Sequence, residues 1–259
     1  VVQNKIDLVN KEEALKNYKE IKEFLKGTFA ENSPIIPVSV QQEINLDKVV
    51  EQLALLEVPK RDSNAKPIFI VARSFDINKP GTPVSSLHGG VLGGILKTGK
   101  LQVGDEIEIK PGMIAKKPHG KIEYKTLTTK ILSLQKGSTQ VSEVAPGISI
   151  SIETSLDPFL TKADSLTGCM VSKIGELPEI TNKIKINATL FKEISGTKEQ
   201  KKTEPIKTKE LLMLSVNTTI TVGVVENVRH QRFLDNQPPS KENENEIELS
   251  LNIPVIALK

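Results

Sequence analysis

Apolar positions in the first 57 residues recur at helical spacing; beyond them they alternate in short runs. Ala14, Leu15, Tyr18, Ile21 and Leu25 stand three or four apart with Lys and Glu between them, which predicts an amphipathic helix with those five residues inward. Asn10 with Glu13 three residues on is a candidate capping box at its start, and Gly27 ends it. An apolar lead-in, Val1-Val2, precedes this helix, and Pro34-Ile35-Ile36-Pro37-Val38 follows as a second strand. A further helix is predicted from Asn45, turning Leu46, Val49, Val50, Leu53 and Leu56 inward. Strand, helix, strand, helix is an α/β order and implies a parallel sheet. By itself the segment buries only part of its apolar surface, so additional strands are expected to complete the sheet.

Val58 to Pro67 carries two prolines and no periodicity and reads as a linker. After it come β runs at Ile68–Ala72, Gly93–Leu101, Glu106–Lys110, Thr128–Leu134 and Gly147–Ile152. Glu106-Ile107-Glu108-Ile109-Lys110 alternates cleanly behind the turn Gly104-Asp105. So many short strands predict a closed barrel or a sandwich. Gly175-Glu176-Leu177-Pro178 marks a break. A second β region follows, with strands at 184–190, 211–216, 218–228 and 246–251. The predicted domains are therefore 1–57, a linker at 58–67, a barrel at 68–180 and a second, incomplete barrel at 181–259. Ser195–Glu210 and Leu234–Glu246 (with Pro238-Pro239) are polar and read as solvated loops. The first clusters Lys198, Lys201, Lys202, Lys207 and Lys209, which could face an RNA backbone.

Composition narrows the chemistry. Apolar residues at 37% and charged residues at 26% are ordinary for a globular protein, and with aromatics at 3% the cores must rest on Ile, Leu and Val. A net charge of +3 permits an acidic partner without announcing one. One cysteine, Cys169, excludes an internal disulfide framework and a Cys-based zinc site; it is expected in a strand as a small core residue. No apolar run approaches a membrane span, and a reducing, cytoplasmic setting is expected. His88, His119 and His230 are scattered, with no triad or metal-ligand spacing.

Asn4-Lys5-Ile6-Asp7, directly after an apolar strand, carries the most specific chemistry. This is how P-loop GTPases read guanine. A carboxylate at Asp7 can accept from guanine N1–H and from the exocyclic N2 amine together, and adenine offers neither there. The wrong base would leave a desolvated carboxylate unpaired, at a cost of about 1–3 kcal/mol or more. The Lys5 stem can lie along the base, and the Asn4 amide can tie neighbouring loops. The second strand ends at Ser39-Val40-Gln41. In GTPases a Ser-Ala-x turn at this place gives a backbone N–H to guanine O6; Val40 departs from the usual Ala.

Part of a GTPase followed by two β-barrels is the layout of elongation factor Tu. Arg73-Ser74-Phe75-Asp76-Ile77-Asn78-Lys79-Pro80-Gly81, then Leu87-His88-Gly89-Gly90-Val91-Leu92-Gly93-Gly94, narrows the likeness. These strings resemble the second domain of the gamma-subunit family of eukaryotic and archaeal translation initiation factor 2. Val103 to Ile107, Lys110-Pro111-Gly112, Ala145-Pro146-Gly147, Asp157-Pro158, Lys162-Ala163-Asp164 and Gly175 to Glu179 extend it. It holds to about residue 190 and weakens through 195–259.

The resemblance implies the α/β end of a P-loop GTPase domain followed by two all-β barrel domains. It implies GTP or GDP, with magnesium in the full-length protein, bound to a heterotrimer with alpha and beta subunits. It implies delivery of methionyl initiator tRNA to the small ribosomal subunit, with an exchange factor and a GTPase-activating protein as further partners, and no membrane. Asn4, Lys5, Ile6, Asp7, Ser39, Val40 and Gln41 match the guanine-reading motifs. In the family the second domain docks the alpha subunit and walls the cleft for the aminoacylated tRNA end, which places Arg73, Gly89, Gly90, Gly93 and Gly94 near that cleft. The glycines could equally serve bends of the barrel. The phosphate-cradling loop, magnesium ligands and switch segments of the family find no match in these residues, so no catalytic residue is expected here and the chain alone is expected to be inactive. Beginning inside a strand, it reads as the carboxyl-terminal part of something longer. A non-GTPase scaffold that only docks proteins, and another tRNA-delivering factor such as the selenocysteine-specific one, are the alternatives.

Overall fold

The first helix starts where its capping signals place it. Asn10 Oδ1 accepts from Glu13 N at 2.9 Å and Glu13 accepts from Asn10 N at 3.2 Å, closing the box before α1 (Lys11–Leu25). Ala14, Tyr18, Ile21 and Leu25 are half-buried along one face; Leu15, expected inward, is exposed. The correction is larger for α2 (Leu46–Ala54). Leu46 and Val49 are half-buried, but Val50 and Leu53 are exposed and Leu56 lies exposed beyond the helix end. The cause is the width of the sheet. β1 (Val2–Gln3) and β2 (Ile36–Pro37) pair in parallel over two residues each, too little surface to cover both helices. In this computed structural model, which describes residues 1–116, 122–190, 203–230 and 244–258, these elements form one unit, Val1–Lys60, and Arg61–Lys259 forms another.

The second unit begins with nine strands: β3 (Ile68–Phe75), β4 (Val91–Thr98), β5 (Leu101–Gln102), β6 (Glu106–Lys116), β7 (Ile122–Lys136), β8 (Thr139–Val141), β9 (Glu143–Val144), β10 (Ser149–Thr154) and β11 (Met170–Lys173). Six of them run β10-β4-β3-β11-β6-β7, and β7 pairs back onto β10, so the antiparallel sheet closes on itself. Closure removes the unpaired edges. Alternation supplies the interior: Phe69 and Val71, Leu92 and Leu96, Ile107 and Ile109, Leu134 and Ile152 are fully buried in one cluster. Glu108 is buried as well, against the alternation rule. It pairs with Lys110 at 3.3 Å and accepts from Leu177 N at 3.0 Å, so its charge is met on both sides.

The remaining strands, β12 (Ile180–Thr189), β13 (Leu211–Val216), β14 (Thr219–His230) and β15 (Glu244–Ile256), make a four-stranded antiparallel sheet in the order β12-β15-β14-β13 over Val225, Ile247, Leu249, Leu251 and Val255. Within the second unit this sheet is tied to the barrel by the β13–β14 turn. Thr218 Oγ1 donates to Val71 O at 2.8 Å and Thr219 Oγ1 to Gly168 O at 3.0 Å. The strands read from alternation are present, several extended by a few residues, except that the run Gly93–Leu101 is broken at Gly99-Lys100 into β4 and β5, with Gly99 in a left-handed turn (φ 71°); β5, β8, β9 and β11 span two to four residues, too few to show a period. Lys198, Lys201, Lys202, His119 and most of the two polar loops lie outside the described residues.

Cys169 precedes β11 rather than lying in a strand, and it is buried in the barrel core with Sγ 3.8 Å from Gly112 O. Burial pushes its thiol pKa up to about 11, against a slight opposing effect of the Gly112 contact. At pH 8 the thiolate should then be scarce, and labelling by a thiol reagent should run about two orders of magnitude slower in native than in denatured protein. Equal rates in the two states would show that the core does not close over Cys169.

Candidate guanine-reading and ligand-facing sites

In the first unit, both motif loops leave the carboxyl ends of the parallel strands β1 and β2, where open α/β sheets place ligands. Lys5 adopts a left-handed conformation (φ 67°, ψ 34°) that turns the chain into the 3-10 turn Ile6–Leu8. A non-glycine residue held there costs roughly 1–2 kcal/mol and signals a constrained loop. Asn4 Oδ1 accepts from Lys5 N at 2.8 Å and from Val40 N at 3.3 Å, so one side chain joins the two loops. Ile6 N donates to Val38 O at 3.2 Å, a second tie. Ser39 is fully buried; its Oγ accepts from Gln42 N and its backbone pairs with Ile44 in both directions. Asn45, itself left-handed at φ 59°, donates from Nδ2 to Pro37 O at 2.8 Å instead of capping α2.

Against this fixed frame, Asp7, Lys5 and Gln41 are exposed. The Asp7 carboxylate makes no hydrogen bond or ion pair with the described residues, and the Gln41 N–H has no acceptor among them. The arrangement offers a double acceptor at Asp7, an aliphatic stem at Lys5 and a backbone donor at Gln41. The sequence had named all seven residues; it named Asn45 only as the start of the second helix, not as a tie to the strand end at Pro37.

In the second unit, four strands of the barrel set their outward residues in two rows. Arg73 faces Gly93, Gly93 faces Ser151, and Ser151 faces Gln135; beside them Phe75 faces Val91, Val91 faces Glu153, and Glu153 faces Ser133. With no side chain at Gly93, the first row has a notch between Arg73 and Ser151. The second row, with Ile77, Gln135 and Ser151, lines a cavity of about 80 Å³. Glu153 bonds His88 Nδ1 at 2.8 Å and accepts from Ser133 Oγ at 2.7 Å. Burial works to raise its carboxyl pKa, but the Ser133 and His88 bonds prevail and hold it below the ordinary glutamate value.

Of the expected cleft residues, Arg73 and Gly93 share this face. Gly89, Gly90 and Gly94 meet the protein itself: a Cβ would fall 1.8 Å from Thr154 O at Gly89, 2.5 Å from Thr161 Cγ2 at Gly90 and 2.0 Å from Ile70 O at Gly94. The sequence missed Gln135, Ser151 and Glu153; the period-two alternation Ser149-Ile150-Ser151-Ile152-Glu153 was the available signal. Gly94, Gly99 and Lys100 reproduce the spacing of a phosphate-binding loop, but Leu101 stands where Ser or Thr is needed and the chain runs on into β5, not into a helix. No cluster of metal-ligating side chains occurs among the described residues, and no helix there is long and apolar enough to cross a membrane.

A strand-end Asn-Lys-x-Asp motif followed along the chain by a closed barrel and a third β segment is the element order of a translation-factor fold. Elongation factor SelB from Methanococcus maripaludis shares it at a TM-score of 0.70 over 99% of this chain and 52% of that one, with 19% identity. A bacterial selenocysteine-specific elongation factor, EF-Sec, does so at 0.66 with 17% identity, over 99% of this chain and 35% of that one. Sequence narrows the class. Residues 182–237 match the model of the initiation factor eIF2 gamma C-terminal domain. Translation initiation factor 2 subunit gamma of Pyrococcus horikoshii is 47% identical over 258 residues, and that of Methanocaldococcus jannaschii 50% identical over 230. This chain belongs to the translation initiation factor 2 gamma-subunit family. It aligns over 99% of its own length with the first relative and spans 59% of that relative; for the second the shares are 88% and 56%.

Proposed function

We propose that this chain supplies the base-reading end of the GTP-binding domain and the two β segments of an initiation factor that carries methionyl initiator tRNA to the small ribosomal subunit. The observation that carries the reading is the joined pair of loops. Asn4 fixes Val40, and Asp7 and the Gln41 N–H are left open, as recognition of guanine N1–H, N2 and O6 requires. GTP and GDP, with magnesium, are the cofactors, and the alpha and beta subunits are partners in a cytoplasmic heterotrimer; GTP hydrolysis is the activity of the whole protein. The Arg73–Gly93 face fits the aminoacylated tRNA end: a cation, a notch that admits a flat group, and polar groups beyond it.

The test is filter binding by the full-length protein. Loaded with GTP, it should hold methionyl initiator tRNA in preference to elongator methionyl-tRNA, and GDP should weaken the complex. Equal binding of the two tRNAs, or of neither, would end this reading.

A further inference from the structure

The 3-10 segment Pro158–Asp164 and the residues that follow it are stitched along one strand of the barrel. Thr161 Oγ1 donates to Phe75 O at 3.1 Å, Leu166 N to Ser74 Oγ at 3.0 Å and Thr167 Oγ1 to Ala72 O at 3.3 Å. At the centre, Ala163 (φ 52°) and Asp164 (φ 59°) are consecutive left-handed residues, neither of them glycine. Such a pair persists only where its surroundings hold it. Asp164 Oδ1 is what the conformation delivers: it accepts from Ser74 N at 3.0 Å and from Arg73 Nε at 2.9 Å. Nε is the inner nitrogen of the guanidinium. The two terminal nitrogens bond no described residue, and the side chain is 70% exposed on the face that holds Gly93 and Phe75. The Arg73 bond, then the Ser74 N–H, keep the Asp164 carboxyl below the ordinary aspartate value, so the clamp stays charged at neutral pH.

We infer that Asp164 is a positioning residue for Arg73: it grips the inner nitrogen and sets the outer fork to take a phosphate of the RNA end that lies over the Gly93 notch. This rests on the reading of that face as RNA-binding. An arginine fork held in advance loses less freedom on meeting a phosphate, and the bidentate geometry suits it.

The carboxylate is otherwise a handicap beside RNA, which makes the inference testable. A merely electrostatic Asp164 would repel the ligand, and any neutral replacement would tighten binding. A positioning Asp164 behaves differently. Asp164→Asn keeps the acceptor, and asparagine tolerates the left-handed backbone, so affinity for methionyl initiator tRNA in the full-length, GTP-loaded protein should stay within about twofold of the original or rise. Asp164→Ala removes the acceptor and should weaken binding about threefold or more. Arg73→Ala should weaken it about five- to tenfold and lower the slope of log affinity against log salt by about 0.7, one single-strand phosphate contact. The double variant should be no weaker than Arg73→Ala. Should Asp164→Ala fail to fold, Arg73→Lys, which keeps the charge without the fork, must still lose most of the affinity that Asp164→Asn retains.

Undiminished binding by Asp164→Ala or Arg73→Lys, or losses that add in the double variant, would overturn the positioning role while leaving the RNA face standing. If Arg73→Ala itself leaves affinity and salt slope unchanged, the RNA reading of the face fails and this inference fails with it.

Discussion

Asp7→Asn in the full-length protein is expected to lower affinity for GDP about a hundredfold and to raise it for xanthosine diphosphate. In the proposed role the carboxylate accepts two hydrogens, from N1 and from the exocyclic amine. Asparagine keeps one acceptor and puts an N–H donor where the other acceptor stood, so donor meets donor at N2. Hydrogen bonds to a charged group are worth about 1.5–3 kcal/mol each, and losing one while facing a second donor costs about 3 kcal/mol, or about two powers of ten. Xanthine carries an oxygen at that carbon and restores the pair. Asp7 is exposed and bonds no described residue, so thermal stability should change by no more than about 0.5 kcal/mol. Calorimetric titration with both nucleotides checks this. GDP affinity within threefold of the original, or no gain for the xanthine nucleotide, would remove Asp7 from base recognition.

Two adjacent glycines should separate stability from ligand binding. A Cβ at Gly94 would lie 2.0 Å from Ile70 O and 2.9 Å from Phe69 Cζ. Ile70 belongs to β3, hydrogen-bonded to β4 on one side and β11 on the other, so its carbonyl cannot retreat without breaking the closed ladder. Gly94→Ala should cost about 3 kcal/mol or more, read as a lowered urea midpoint. At Gly93 the nearest atoms, Arg73 Cβ and Phe75 Cε1, are both 3.6 Å away, an ordinary contact. Gly93→Ala should leave stability within about 1 kcal/mol while filling the notch and weakening tRNA binding several-fold. Gly94→Ala with an unchanged midpoint would contradict the β3–β4 register. Gly93→Ala as destabilising as Gly94→Ala would contradict the outward placement of that face.

These two positions also mark where sequence reading stopped. Gly93-Gly94 is a repeated letter; only the β3–β4 register turns one glycine outward to a notch and the other inward to a carbonyl. The helices tell the same story. Spacing found α1 and its capping box, because caps and amphipathic periods are local. It turned Val50, Leu53 and Leu56 inward while expecting further strands to complete the sheet; over the two-residue pairing of β1 with β2 these three stay exposed, because the width of a sheet is not a local property.

The sequence by itself determined the α/β start, most of the alternating strands and the loop residues Asn4, Lys5, Asp7 and Ser39 that are proposed to read guanine, since each depends on neighbours within a few positions. Tertiary structure alone decided that Asn4 holds Val40, 36 residues away, and that β7 returns to β10 to close the barrel. It alone placed Asp164 on Arg73, 91 residues apart. Such contacts depend on strand pairing and backbone turns set by the packing of the whole unit, which no window along the chain contains.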